Sequence, residues 1–389
     1  MAGPYIDAAP FLEEAQRVVG AEDWGDDGFE EAYHRFVESL NREAELTDEG
    51  AARTRAHVRQ LLIGRLGVVR DRTANPAIAR EEVRAPLILT GPGRSGTSFF
   101  NALIAADQRN HSPLHWQVWH PSPPPALQAD GGVGTIAEME RFMQEQGWQA
   151  PDVRATHNYT ARNAAEDILV LDYSFRSATF AFFWNTPSYG AWLASADLAP
   201  AYRFERVMLQ ALQHGVSRDQ WVIKSPVHLG QLGYLFDEFP DARLAVNHRD
   251  PVKTLGSISS MLKAHRRQFG NAPVVLDRSY ALAAMEGLAR SLEDMIGRRK
   301  DAAVDARFVD ILYADLIADP LAEVAKFYAH HGIAFTDEAR ASMQAHIADN
   351  RQGKFGVHTY DISETGLRVE EIRERFKFYT DCFDIPLDV

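Results

Sequence analysis

The chain has 389 residues, of which 46% are hydrophobic and 24% charged, the proportions of an ordinary globular protein long enough to bury a large core. A net charge of −13 argues against nucleic acid or an anionic membrane surface as the main partner, so an anionic ligand must be met by locally placed Arg and Lys. One cysteine, Cys382, excludes an intrachain disulfide and is expected to pack near the C-terminus.

The opening residues lack a basic segment followed by an apolar one, and no apolar run reaches membrane-spanning length. No signal peptide, no membrane span and a cytoplasmic location are therefore expected. Residues 1–84 read as a helical extension, with amphipathic spacing at 11–19 and 29–40 and a capped start at Thr47-Asp48-Glu49 leading a third helix to about Val69. The apolar run 85–90 reads as a buried strand that ends in a glycine-rich loop and passes at once into a helix. Prolines from Pro113 to Pro125 predict an extended segment without regular structure. A helix is expected at 135–146, another opening at 164–167, and an aromatic stretch from Phe175 to Trp192 that is mainly core, with some rings free to wall a pocket. Strands are expected at 221–224, 243–248 and 307–312, with helices at 229–239, from about Pro251, and at 320–330. Strands alternating with helices predict an α/β fold, a doubly wound parallel sheet, over residues 85–389. Ligands of such sheets lie at the C-terminal ends of the strands.

The loop at that end reads Thr90-Gly91-Pro92-Gly93-Arg94-Ser95-Gly96-Thr97-Ser98. Strand, glycine loop and helix together suit phosphate, because the glycines let backbone N–H groups converge and the helix dipole adds positive potential. Gly91 and Gly96 have Walker A spacing, but Thr97 stands where the lysine that serves the β and γ phosphates belongs. Such a loop suits a nucleotide with a single 5′ phosphate group. A second signature, Arg249-Asp250-Pro251, starts a helix that carries Ser257 eight positions after Arg249. A dianionic phosphate is well met by a charge-assisted arginine contact and a neutral hydroxyl, while Asp250-Pro251 by itself reads as a plain helix start. A third cluster, Asn350-Arg351-Gln352-Gly353-Lys354, is a late basic loop that reads equally well as a solvated surface.

These stretches resemble the sulfotransferase superfamily, closest to its bacterial branch, with Lys224-Ser225-Pro226 after the second strand and Tyr313-Ala314-Asp315-Leu316 after the fourth. The resemblance runs over nearly the whole chain from residue 85. It implies the P-loop type of sulfotransferase fold and the donor 3′-phosphoadenosine 5′-phosphosulfate (PAPS), with no metal. It further implies that Gly93, Arg94, Ser95, Gly96, Thr97 and Ser98 hold the 5′-phosphosulfate, that Arg249 and Ser257 hold the 3′ phosphate, and that Arg351 and Lys354 close over it. Arg94 and Lys224 would stabilise the bridging oxygen as the sulfuryl group leaves.

The base for the acceptor hydroxyl is less clearly signalled. Where cytosolic members carry a histidine two positions after the strand-two lysine, this chain has Pro226. Tyrosylprotein members carry a glutamate about twenty-one positions after the loop arginine, and that count lands on His115. Bacterial relatives carry Trp-Glu just beyond, where this chain has Trp116-Gln117. His115 is the leading candidate because imidazole titrates near neutrality, with His120, His157, Glu166 and His228 as alternatives. The partner is a small-molecule acceptor, leaning toward a hydrophobic or aromatic alcohol or phenol, and a homodimer is the default oligomer. Two rival functions are a non-catalytic nucleotide-binding or assembly protein of the same fold and a P-loop kinase.

Overall fold

Four of the strands form where short β-branched and aliphatic runs leave no polar face to turn to water. In the computed structural model, which describes residues 4–25, 28–145, 148, 159–216, 220–267, 269–270, 278–349 and 362–387, these are β1 (Leu87–Thr90), β3 (Gln220–Lys224), β4 (Arg243–His248) and β5 (Phe308–Leu312). A fifth, β2 (Asn110–His111), has only two residues and no apolar pattern, and it escapes sequence reading for that reason. All pairings are parallel, in the order β2-β3-β1-β4-β5. β2 and β3 lie on one side of β1, with β3 inserted between β2 and β1, and β4 and β5 build outward on the other, so the strand order reverses at β1. This is the α/β doubly wound sheet expected from the alternation of strands and helices.

Contacts divide the chain into two units, one of residues 84–112, 218–261 and 275–389, the other of residues 1–83, 113–217 and 262–274. The first holds the sheet. Its core joins Leu87, Leu89, Val222, Ala245, Val309 and Ile311 of the strands to Phe100, Leu103 and Ile104 of the helix Thr97–Ala105 and to Phe327 of the helix Pro320–His330. Each fully buried Leu, Ile or Phe side chain contributes about 1.5–3 kcal/mol. The helix expected at 229–239 begins later: Pro226–Gly230 form a 3₁₀ turn, and the α-helix covers Leu232–Glu238. Cys382, expected to pack, is exposed instead.

The second unit is helical. Ala8–Val19 and Phe29–Glu43 form as their apolar spacing predicts. The third helix, Asp48–Ala74, starts at the expected cap, with Thr47 accepting from the Gly50 N–H, and runs past the expected end near Val69. The aromatic stretch from Phe175 packs on these helices: Phe36 meets Phe175, Phe180, Trp184 and Tyr189 at ring-centroid distances of 4.5–6.1 Å. Most of that stretch is core, with Phe182, Phe183 and Trp192 half-buried. The proline-bracketed segment, expected to lack regular structure, contains a short helix, His115–Trp119. Between Pro113 and Pro121 no proline interrupts the backbone, and the Gln117 side chain accepts the Leu114 N–H at 3.1 Å to start the turn. Only Ile168–Leu171 become α-helical after the predicted start at 164. No helix among the described residues is long and apolar enough to cross a membrane.

Asp172 lies in this unit almost fully buried, and neither carboxylate oxygen has a partner at good hydrogen-bonding geometry. Burial pushes its carboxyl up to about 7, only partly opposed by the nearby Ser177 and Thr179 hydroxyls. The folded state thus holds this proton more tightly than the unfolded chain does. The associated stability is present below the ordinary carboxylate pKa and is lost as pH rises from about 4 to about 7. Asp172→Asn removes the cost of the buried charge. Its stability relative to wild type, from urea unfolding, is expected to improve by about 2–3 kcal/mol between pH 5 and pH 8; a difference that does not move with pH would contradict this.

Candidate active site

β1 lies between β3 and β4, with Leu89 opposite both Lys224 and Ala245, and Thr90 opposite Val246. The parallel register brings three strand ends together: the glycine loop after β1, Lys224 closing β3 and Arg249 following β4. This is the crevice at a switch point, where open parallel sheets bind ligands. The Thr90 hydroxyl donates to the Ser225 carbonyl at 2.9 Å and the Ser225 N–H to the Leu89 carbonyl at 3.2 Å, which fastens the ends of β1 and β3 together.

The loop backbone is tightly constrained. Gly91 has φ +140°, and a Cβ there would sit 2.3 Å from the Asn247 carbonyl oxygen. Gly96 has φ +90° and faces the ring of Tyr313. Between them Arg94 occupies the left-handed region at φ +66° without a glycine's freedom, a conformation that costs about 1–2 kcal/mol. Repeated left-handed turns ahead of a helix N-terminus curl the chain into an anion nest. Ser95 is fully buried in this loop, and its hydroxyl has no protein hydrogen-bond partner. Thr97 is buried at the first helical position and Ser98 is exposed beside it, while Gly93 is half-buried.

Cations converge on the loop from both flanking strands. Lys224, 3% exposed, donates from Nζ to the Ser98 hydroxyl at 3.0 Å. Arg249 donates from Nη1 to the Arg94 carbonyl at 2.9 Å and lies over the Tyr313 ring, 3.9 Å from its centroid. Stacking and the carbonyl contact hold the guanidinium against the loop. Asp250 caps the following helix, its carboxylate accepting the Val252 N–H at 2.9 Å. Ser257 falls in that helix, Pro251–Arg266, but its side chain lies outside the described residues, as do Arg351 and Lys354. The sequence marks Tyr313 only as part of a family landmark and gives no part to Asn247, whose backbone closes on Gly91. A polar Asn247-His248 pair ending an apolar strand was the available signal.

In the helical unit His115 opens the helix His115–Trp119 and is 5% exposed. Its Nδ1 lies 3.1 Å from the Asn163 carbonyl, and the ring meets Tyr159 edge-on at 5.3 Å. A carbonyl only accepts, so Nδ1 carries a proton, and in the neutral ring this leaves Nε2 as the acceptor, the tautomer a base requires. Beside it Trp116, Trp119, Met139 and Met143 form an apolar cluster with Phe142, Trp148 and Tyr159 half-buried against it. Gln117 is occupied as the helix cap. His120 is half-buried near Gln60, and burial lowers its pKa. Glu166 is half-buried, His228 is fully buried in the 3₁₀ turn after Ser225, and His157 lies outside the described residues.

Residues 86–337, well over half of the chain, match the sulfotransferase family. The chain belongs to that family. The crystal structure of sulfotransferase STF9 from Mycobacterium avium has a TM-score of 0.88 to it at 27% identity, covering 100% of this chain and 99% of that one. That of STF1 from Mycobacterium tuberculosis H37Rv gives 0.82 at 27% identity, covering 96% and 99%. Omega-hydroxy-beta-dihydromenaquinone-9 sulfotransferase Stf3 of Mycobacterium bovis is 23% identical over 314 residues, 75% of each chain. This sulfotransferase is thus an enzyme of sulfuryl transfer, which removes the rival reading as a binding or assembly protein and that as a kinase.

The loop geometry separates two kinds of substitution. Gly91→Ala forces a Cβ onto the Asn247 carbonyl and is expected to cost more than about 2 kcal/mol of stability. Arg94→Gly relieves the left-handed strain, offset by the entropy of an added glycine, so stability is expected within about 1 kcal/mol of wild type while sulfuryl transfer falls. Chemical unfolding beside a turnover assay checks both; equal destabilisation by the two would contradict the loop analysis.

Proposed function

We propose that the enzyme transfers the sulfuryl group of PAPS to the hydroxyl of a small hydrophobic or aromatic alcohol or phenol, releasing adenosine 3′,5′-bisphosphate. The observation that carries this reading is the contact of the Arg249 guanidinium with the Arg94 carbonyl, which puts a second cationic position next to the phosphate loop. A nucleotide phosphorylated at both the 5′ and 3′ ends is the ligand that uses both. The residues fit it: a buried Ser95 hydroxyl without a protein partner, left-handed turns at 94 and 96, and no lysine at 97 for a triphosphate. Ser257, Arg351 and Lys354 are proposed as additional 3′-phosphate contacts on the family pattern alone.

Bound PAPS supplies an activated sulfuryl group and a bisphosphate leaving group. In the transfer the acceptor oxygen bonds to sulfur as the sulfur–oxygen bond to the 5′ phosphate breaks, and negative charge grows on the bridging oxygen. Lys224 and Arg94 neutralise that charge, and the loop with Thr97 and Ser98 holds the 5′ phosphate, so positioning and electrostatics supply most of the rate. The Lys224 ammonium, held by Ser98 in this structure, is ready to shift to the leaving oxygen. His115 is proposed to take the acceptor proton on Nε2, supported by the tautomer that Asn163 imposes and by its spacing from Arg94. The mechanism needs no metal.

The acceptor class rests on the aromatic cluster around Trp116, Trp119, Phe142, Trp148 and Tyr159 beside His115. The rings from 175 to 192 serve the core instead. The relative named for an omega-hydroxy-beta-dihydromenaquinone-9 accords with a hydroxyl acceptor.

With PAPS and a hydroxyl library read by mass spectrometry, a sulfated product is expected from apolar alcohols or phenols, and none with ATP and magnesium. Failure with every hydroxyl compound despite tight bisphosphate binding would remove the acceptor assignment. His115→Ala is expected to lower kcat about 100-fold or more with the dissociation constant of adenosine 3′,5′-bisphosphate unchanged; near-normal turnover would take His115 out of the chemistry. Lys224→Ala is expected to lower kcat by about 100–1000-fold, measured at saturating acceptor, and a pure KM effect would argue against charge stabilisation by Lys224.

A further inference from the structure

We propose that Tyr379, on the C-terminal helix Lys377–Cys382, is a positioning residue for Arg249 and so sets the affinity for the 3′-phosphate end of the nucleotide. The inference rests on the reading of Arg249 as a 3′-phosphate contact. It starts from a buried polar chain that the sulfuryl-transfer chemistry does not use. His248, the last residue of β4, is fully buried. Its Nδ1 lies 3.0 Å from the Tyr379 hydroxyl and its Nε2 2.8 Å from Asp310 Oδ1 on β5. Arg299 grips the same carboxylate with both Nη atoms, at 2.6 and 2.8 Å, and Arg249 is the residue that follows His248.

The direction of each hydrogen bond follows from the chemistry. Asp310 would be raised by burial, but hydrogen bonds from Arg299 and His248 hold its carboxyl well below the usual carboxylate range, so it is an acceptor. His248 therefore donates from Nε2. Burial lowers its pKa despite Asp310, which leaves the ring neutral with a lone pair on Nδ1. Burial raises Tyr379, so its hydroxyl keeps its proton and donates it to Nδ1. Every link has one donor and one acceptor, and the chain runs from Tyr379 through His248 to an ion pair anchored on Arg299.

Phe383 closes this chain off, stacked on His248 with centroids 4.2 Å apart. His248 and Tyr379 are both out of water, so the hydrogen bond between them meets no competing solvent and is stiff. Its effect falls on the residue where β4 passes into the next helix, whose side chain already rests on Tyr313 and the Arg94 carbonyl. The guanidinium is thus held by the loop, and the backbone that carries it is held one residue earlier, by Tyr379 through His248. A charged fork placed in advance loses little entropy on meeting a phosphate, and small displacements of it are costly.

Tyr379→Phe keeps the ring and deletes the hydroxyl. The readout is the affinity ratio between adenosine 3′,5′-bisphosphate and adenosine 5′-monophosphate, measured by calorimetry on the full chain. Tyr379→Phe is expected to lower the ratio about tenfold while 5′-monophosphate affinity stays within about twofold, and to raise the donor KM with kcat retained. Arg249→Ala is expected to lower the ratio further, and adding Tyr379→Phe to it to do nothing more. Should Tyr379→Phe fail to fold, Asp310→Asn removes the charge that orients His248 and is expected to move the ratio in the same direction. An unchanged ratio in Tyr379→Phe beside a collapsed one in Arg249→Ala overturns the positioning role alone. An equal loss of both nucleotides in Tyr379→Phe marks a structural role and also overturns it. An unchanged ratio in Arg249→Ala overturns instead the assignment of the 3′-phosphate site.

Discussion

β1 pairs in parallel with β3 on one side and β4 on the other, and the chemistry of the site depends on that placement. Each strand is too short to carry a site of its own. Parallel pairing brings three strand ends to one edge of the sheet, and each ends in a different kind of group: a glycine loop, an ammonium and a guanidinium. The hydrogen bonds between Thr90, Ser225 and Leu89 hold two of these ends level, so Lys224 meets the loop at Ser98. The apolar core beneath, built from the same strands and the helix Thr97–Ala105, gives the loop a rigid base.

An acidic chain whose proposed donor is a polyanion must concentrate its cations. With a net charge of −13 the long-range field is unfavourable, and the local field has to come from groups at contact distance. Lys224 and Arg249 are drawn onto the loop that carries Arg94 by hydrogen bonds and stacking with Ser98, the Arg94 carbonyl and Tyr313. The loop itself is strained: Arg94 sits in the left-handed region and Ser95 is buried with its hydroxyl unpartnered. Strain and orphaned polar groups concentrated in one loop mark a site shaped for a ligand at some cost to stability.

Much of the architecture was legible because it depends on local pattern. Apolar runs bounded by turns located β1, β3, β4 and β5 within two residues, and alternation with helices implied the parallel sheet. Gly91 and Gly96 were readable because their backbone conformations exclude other residues. Some features were not legible. β2 has two polar residues and exists only because β3 offers it an edge. The helix His115–Trp119 formed inside a proline-rich stretch because a side chain three residues on supplied the cap. Cys382 went to the surface because the helix Lys377–Cys382 turns Tyr379 inward instead.

By itself the sequence determined the strand–loop–helix unit, the spacing of its glycines, the arginine–serine pair at 249 and 257, and hence the family and its chemistry. These are short-range patterns that bonded geometry and periodicity enforce wherever they occur. Only the tertiary structure decided which groups meet: Lys224 with Ser98, Arg249 with Tyr313 and the Arg94 carbonyl, and the chain from Tyr379 through His248 to Asp310 and Arg299. Residues 94 and 249, or 248 and 379, are too far apart in sequence for any local rule to join them. Strand order and register bring them together, and those are set by burying the whole sheet at once.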